Sequence, residues 1–223
     1  MIDASVIITC KDKEPFLDDC VMSVVRQTKQ PKEIIVVHDQ CSNPAHHLEV
    51  TSIMQKNHLG VSKARWEGFR YSVGSYIVFL DGDDVLNPDY LERMRTACGD
   101  KNDIAYPNIY FFDKFNPKLS ITPDKFGPDD VKSWGKLPIP VTCMMKRSVF
   151  EDLKGFGEFP VMEDLDFWLR AMCNGYTFAK AETLLWYRQE GERRNLVNQE
   201  LRAKTIATIF EQFEIKDNTI KLK

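Results

Sequence analysis

The chain has 223 residues, enough to bury one substantial core. Hydrophobic residues make up 43% of it and charged residues 28%, the balance of a water-soluble globular protein rather than a disordered one. A formal net charge of -3 argues against non-specific nucleic-acid binding, so no nucleic acid is expected among the partners.

No run approaches about 18 consecutive apolar residues, and Met1-Ile2-Asp3-Ala4 has neither a basic nor an apolar leader region. Neither a transmembrane segment nor a signal peptide is predicted. The expected location is cytoplasmic, with peripheral contact at the inner face of a membrane left open. The six cysteines, at 10, 20, 41, 98, 143 and 173, form no CxxC pair and read as thiols in a reducing compartment.

Val6-Ile7-Ile8-Thr9 is the first apolar run and reads as a strand. After the polar turn at Asp12-Lys13-Glu14, Pro15 suits a first helical turn, and Leu17, Val21, Val24 and Val25 recur at helical spacing. Ile34-Ile35-Val36-Val37 is a second strand, which makes the opening a βαβ unit with a right-handed crossover. Asp39, after His38, stands at the C-terminal end of this strand; its residue type suits a turn or helix cap and equally an acceptor for a base or ribose. Residues 50–54 form a weak third strand and 61–72 a helix. Arg65 borders the apolar face of that helix, where it can snorkel, pair with a core carboxylate or grip a phosphate.

Ile77-Val78-Phe79-Leu80 reads as a strand buried on both faces, hence central in a sheet. Asp81-Gly82-Asp83-Asp84 follows at once. Carboxylates crowded at a strand's C-terminal end, where open α/β sheets bind ligands, repel one another unless a cation joins them. A hard divalent ion with substrate phosphate oxygens meets that need.

Asn87-Pro88 signals a helix running to Cys98, and Ile104-Ala105-Tyr106 a further short strand. Residues 107–140 are rich in proline and aromatic residues and read as irregular chain with short strands over the ligand edge. A strand is expected at 141–145, a short helix at 147–153 and a glycine-rich loop from Gly155. A helix opening at Glu163-Asp164 buries Leu165, Trp168, Leu169 and Met172, with Asp164 on the flank of that stripe, Glu163 opposite it, and Asp166 pointing away from Trp168. The last strand is 183–187, and 198–213 reads as an amphipathic helix. The whole is an α/β fold with a mixed, mostly parallel sheet flanked by helices and ending in a C-terminal helix.

Several of these stretches, in order, resemble the inverting, nucleotide-sugar-dependent glycosyltransferases of family 2, which have a Rossmann-like GT-A fold. They are Asp12 to Leu17, Val36 to Ser42, Asn57-His58-Leu59-Gly60-Val61-Ser62-Lys63-Ala64-Arg65, the Asp-x-Asp at Phe79 to Asp84, Gly155-Phe156-Gly157-Glu158, and Glu163-Asp164. The resemblance implies a metal-dependent transferase of the hexosyltransferase type with a nucleotide-diphosphate sugar as donor, UDP-sugar favoured. Asp39 and Asp81 would contact the nucleoside, Arg65 would support the phosphates, Asp83 would ligate Mn²⁺ or Mg²⁺, and Asp164 would be the general base. Residues 1–106 would form the nucleotide-sugar-binding half, 107–190 the acceptor-binding half and 191–223 a helical tail of one domain. The acceptor would be a hydroxyl of a surface glycan, lipid-linked saccharide, glycolipid or protein.

The chain departs from the family pattern at His38, Gln40-Cys41 and Trp66, and after Arg188 it lacks the histidine many members place near the metal. Arg193 and Arg194 are the candidates to neutralise phosphate there. Without the Gln-x-x-Arg-Trp motif of processive synthases, transfer of a single sugar is expected. An inactive member serving as a binding subunit, a retaining transferase and a nucleotidyltransferase are the alternatives.

Overall fold

The computed structural model describes residues 1–11, 14–40, 50–112, 117–134, 138–188 and 199–223. The turn read from the sequence at Asp12-Lys13, residues 41–49 with the histidines at 46 and 47, and Arg193 and Arg194 lie outside the described residues.

A nine-stranded sheet runs in the order β3-β2-β1-β4-β8-β6-β9-β5, with β7 also paired to β6. Its first four strands are β3 (Thr51–Gln55), β2 (Pro31–Asp39), β1 (Ile2–Cys10) and β4 (Tyr76–Asp81), all parallel. β8 (Met144–Lys146) runs against both β4 and β6 (Ile104–Phe112). β6 is parallel to β9 (Phe178–Arg188), and the two-residue β5 (Val85–Leu86) closes the far edge antiparallel to β9. β1, β2, β4, β6 and β9 therefore all end at the same edge of the sheet. The sheet is the mixed one expected, and it is continuous across both halves of the sequence.

Continuous apolar runs take this central position because both of their faces are covered. Val78 and Leu80 of β4 pack with Val6, Ile8 and Val36 beneath α1 (Glu14–Val25) and α3 (Tyr90–Cys98). Ile77 and Phe79 face the other way, with Ile7, Ile35 and Val37, under α2 (Val61–Tyr71), α5 (Arg147–Asp152) and α6 (Glu163–Cys173). Gly68 lets α2 lie close to the sheet. A Cβ there would fall 2.3 Å from Ile7 Cγ2 and 3.0 Å from Val37 Cγ2. This close approach seats Arg65, one turn earlier, against the C-terminal ends of β1 and β4.

The expected elements shift in several places. The helix after Asn87-Pro88 begins only at Tyr90, with Asp89 at its N-cap position, and Asn87 instead donates to the Asp89 carboxylate at 2.6 Å. The strand at Ile104 does not stop before Pro107 but runs on to Phe112. The proline fits because the ladder with β9 shifts register between Tyr106 and Asn108, and proline is tolerated at such bulges. Within the segment read as irregular chain with short strands, β7 (Lys118–Ser120) is such a strand, whereas α4 (Pro128–Trp134) is a helix that was not expected. The strand expected at 141–145 is β8, shifted to Met144–Lys146.

The C-terminal tail is not helical throughout. α7 (Gln199–Glu211) gives way to a hairpin of β10 (Phe213–Lys216) and β11 (Thr219–Leu222), whose turn residues Asp217 and Asn218 have φ of 51° and 54°. Two left-handed residues match the twist of a two-residue hairpin loop, and Asp and Asn tolerate them. Phe213 and Ile215 join Val131, Leu165, Leu169 and Ile209 in a small separate core.

Candidate active site

Thr9, Cys10, Lys11, Asp39, Asp81, Gly82 and Asp83 converge where β1, β2 and β4 end. With His58, Val61 and Ala64 they line a cavity of about 320 Å³, at the lower end of the range of small-molecule sites. Three of the carboxylates singled out in the sequence thus share one cavity.

Asp39 is 3% exposed. One of its oxygens accepts the Leu59 N–H at 2.7 Å, and the other accepts the Gly60 N–H at 3.1 Å and faces His58 Nδ1 at 2.6 Å. It therefore fixes the turn into α2 and lines the cavity as well. His58, half-exposed at the rim, was not singled out in the sequence as a partner of Asp39.

The acidic loop is a tight turn: the Asp84 N–H donates to the Asp81 carbonyl at 3.0 Å, and the Gly82 N–H to the Thr9 carbonyl at 2.9 Å. A Cβ on Gly82 would lie 3.1 Å from that carbonyl and 3.3 Å from Cys10 Cβ, so a side chain here would press the loop off β1. The Cys20 thiol lies under the loop, 3.5 Å from the Asp81 carbonyl. Burial first, then the charges of Asp84, Asp83 and Asp81, push its pKa well up and keep it protonated.

Arg188, at the end of β9, ties the loop from the far side. Its N–H donates to Asp84 Oδ1 at 2.8 Å and its Nε–H to the Asp83 carbonyl at 3.0 Å. The guanidinium also lies over the rings of Phe16 and Phe112, 4.2 and 4.6 Å from their centroids.

Arg65 is 2% exposed. Its Nη2 donates to Asp81 Oδ1 at 2.9 Å and its Nη1 to Glu163 Oε1 at 2.6 Å, with Phe156 beneath at 5.1 Å. Of the three readings open in the sequence, the core carboxylate pair is the one seen. Glu163, placed opposite the buried stripe by helical spacing, is the partner that reading lacked. The chain Asp81–Arg65–Glu163 joins the cavity to the start of α6.

Asp164 follows Glu163 and accepts the Leu165 N–H at 2.8 Å. Its carboxyl is pushed well above the usual carboxylate range, first by burial and then by the negative charge of Glu163, with Asp81 adding to the rise. The Arg65 charge and the Leu165 N–H oppose the shift. The position expected to point away from the core, Asp166, is 3% exposed. It accepts Arg170 Nε–H at 2.9 Å and Nη2–H at 2.7 Å, and Arg170 in turn donates to the carbonyls of Leu153 and Gly155. An (i, i+4) arginine makes this carboxylate a core residue. Asp166→Asn is expected to lower stability by about 2 kcal/mol, the scale of charged hydrogen bonds, in urea unfolding, with turnover per folded molecule little changed.

Among the described residues no three His, Cys, Asp or Glu side chains are grouped to hold a metal ion by themselves. The donor set nevertheless fits an ion of the Mg²⁺ type, which is bound through one or two carboxylates plus substrate phosphates.

The profile of glycosyl transferase family 2 matches residues 5–154, about two thirds of the chain. The chain belongs to glycosyl transferase family 2. The match takes in Asp39, Arg65, Asp81 and Asp83 and ends before Glu163 and Asp164. An uncharacterized glycosyltransferase of Methanocaldococcus jannaschii is 26% identical over 196 residues, 81% of this chain and 68% of that protein. One from Haemophilus influenzae is 24% identical over 86% of this chain and 67% of its own length. In fold, S. aureus TarS 1-349 in complex with UDP-GlcNAc superposes with a TM-score of 0.75 at 16% identity, over 97% of this chain and 68% of that one. Family membership supports transfer of a sugar from a nucleotide-sugar donor. No helix among the described residues is long and apolar enough to cross a membrane.

Proposed function

We propose that this family 2 member is an inverting, metal-dependent transferase that moves one sugar from a UDP-sugar to a hydroxyl of a glycan or lipid-linked saccharide. The observation that carries the reading is the chain of contacts Asp81–Arg65–Glu163, which runs from a cavity lined by Asp39, Asp81 and Asp83 to the start of α6, where the next residue, Asp164, has a carboxyl of raised basicity. The fold neighbour crystallised in complex with UDP-GlcNAc favours uridine over other bases.

In this reading the nucleoside lies in the cavity against Asp39 and Asp81, in the half formed by residues 1–106. Asp83 would hold Mn²⁺ or Mg²⁺ there. When bound, the ion offsets the charge that builds on the leaving nucleoside diphosphate, so no protein acid is needed on that side. Arg65 supports the donor through Asp81, which it holds in place. Asp164 accepts the proton of the acceptor hydroxyl while that oxygen bonds to the anomeric carbon and the bond to the diphosphate oxygen breaks. A weakly nucleophilic hydroxyl needs a base within hydrogen-bond reach, and a base with a raised pKa is closer to the optimum at neutral pH. A single displacement inverts the anomeric carbon. The acceptor enters from the half formed by residues 107–190.

Calorimetry of UDP with and without Mn²⁺ tests the donor half of this reading. Asp83→Ala is expected to remove most of the Mn²⁺-dependent gain in affinity, because the ion is the largest local charge in such a site. The wild-type protein is expected to hydrolyse or transfer a UDP-sugar only with the metal present. Metal-dependent affinity unchanged in the Asp83 variant would move the metal elsewhere. UDP affinity with no turnover of any UDP-, GDP- or dTDP-sugar would favour a binding subunit.

A further inference from the structure

We propose that Trp186, with Tyr110 and Phe112, forms a shelf that stacks a pyranose ring of the acceptor beside the acidic loop. The proposal rests on the glycosyltransferase reading above and adds to it the residues that meet the acceptor.

Trp186 is 37% exposed, unusual for a tryptophan set in the interior of a long strand. Its ring lies 4.8 Å from Tyr110, directly opposite it in the β6–β9 ladder, and 6.3 Å from Phe112. The side of the sheet follows from its neighbours. Leu185 and Tyr187 face the α1–α3 core, so Trp186 faces the other way. Tyr106 packs in the core shared with α6, and both Tyr106 and Asn108 reach the segment 122–124 on that same side, the side Tyr110 also takes. The shelf therefore lies on the α6 face, at the edge of the sheet where β4 ends.

Its distance from the chemistry is short in bonds. Trp186 pairs with Val85, the residue directly after the acidic loop. Two residues on, Arg188 donates to the Asp83 carbonyl and the Asp84 carboxylate, and its guanidinium covers Phe112. An exposed tryptophan face flanked by two partly buried rings and next to hydrogen-bonding groups suits a ligand with one apolar C–H face and a rim of hydroxyls, which is a pyranose. Tryptophan offers both the ring face and an indole N–H donor. A lipid chain would favour a longer apolar groove without the adjoining Asp84–Arg188 pair.

The test uses the intact protein labelled with 5-fluorotryptophan, its Trp186 resonance assigned with Trp186→Phe. Methyl β-glycosides of glucose, galactose and N-acetylglucosamine are titrated in the presence of UDP and Mn²⁺. At least one is expected to shift the Trp186 resonance, and Trp186→Ala to weaken that glycoside about tenfold while UDP affinity stays unchanged. The wild-type resonance needs no variant to fold, so the readout stands even if Trp186→Ala is unstable. No shift with any glycoside while UDP binds normally overturns the shelf and leaves the transferase reading intact. A shift caused by phosphatidylglycerol vesicles but by no glycoside also overturns it, in favour of a membrane contact. A glycoside shift in a protein that binds no UDP supports the shelf and counts against the donor reading.

Discussion

Asp164→Asn is expected to cut sugar transfer by about 10²–10⁴-fold, the usual cost of losing a general base, while UDP and Mn²⁺ still bind. The geometry narrows the rivals for this role. Glu163 is engaged with Arg65 and Asp166 with Arg170, so neither carboxylate is as available to take a proton. If Asp164 is the base, transfer by the wild type should rise with pH through a midpoint above that of an ordinary carboxylate, since a general base must be ionised to act. The asparagine variant should lose that limb of the profile.

Stability supplies a second readout with a definite sign. A carboxyl whose pKa is raised on folding stabilises the protein below its unfolded pKa, and that stabilisation is lost as pH rises through the folded value. At pH 8 Asp164 is therefore a burden on the fold, and Asp164→Asn is expected to unfold at a higher temperature than the wild type. The advantage should fade below about pH 4, where both forms are neutral. A carboxylate present only to favour the start of α6 would behave oppositely, with the variant losing about 0.3–1 kcal/mol at neutral pH. Thermal melts across pH and steady-state rates on the same preparations separate the two.

Arg65→Met is expected to carry the largest cost in stability, about 3–5 kcal/mol, the range seen when one partner of a buried ion pair is removed. The guanidinium is 2% exposed and stands between Asp81 and Glu163, with Asp164 close by. Without it three carboxylates crowd the start of α6 and the end of β4. Arg65→Lys should recover only part of the loss, because a single ammonium does not span two carboxylates reached by separate nitrogens. Urea unfolding measures this, and UDP calorimetry on the lysine variant should show weakened donor binding as Asp81 loses its anchor. Unchanged stability in Arg65→Met would mean the two ion pairs contribute nothing to the folded state.

β1, β2 and β4 were legible because buried parallel strands are written as unbroken apolar runs, and α2 by its spacing. The acidic loop was legible for the same reason: charge directly after Leu80 has nowhere to go but the sheet edge. Legibility failed where local rules compete. Pro107 argued against a strand that a register shift permits, and β5 is only two residues long, below any periodicity. The hairpin at 213–222 alternates apolar and polar residues, yet its Asp-Asn turn is a weaker signal than Asn-Gly. Asp166 and Glu163 were placed by helical spacing as if charge meant solvent. Their partners Arg170 and Arg65 lie 4 and 98 residues away, and only the first of these distances is visible in a helix pattern.

The ties of Arg188 to Asp83 and Asp84 span 105 and 104 residues of chain. Contacts so distant in sequence close large loops and form late in folding. The β1–α1–β2 unit and β4 can assemble from nearby chain, whereas the acidic turn gains its last restraints only when β9 docks. During synthesis the cavity lined by Asp39 and Asp81 would thus take shape well before the acidic loop is locked from the β9 side.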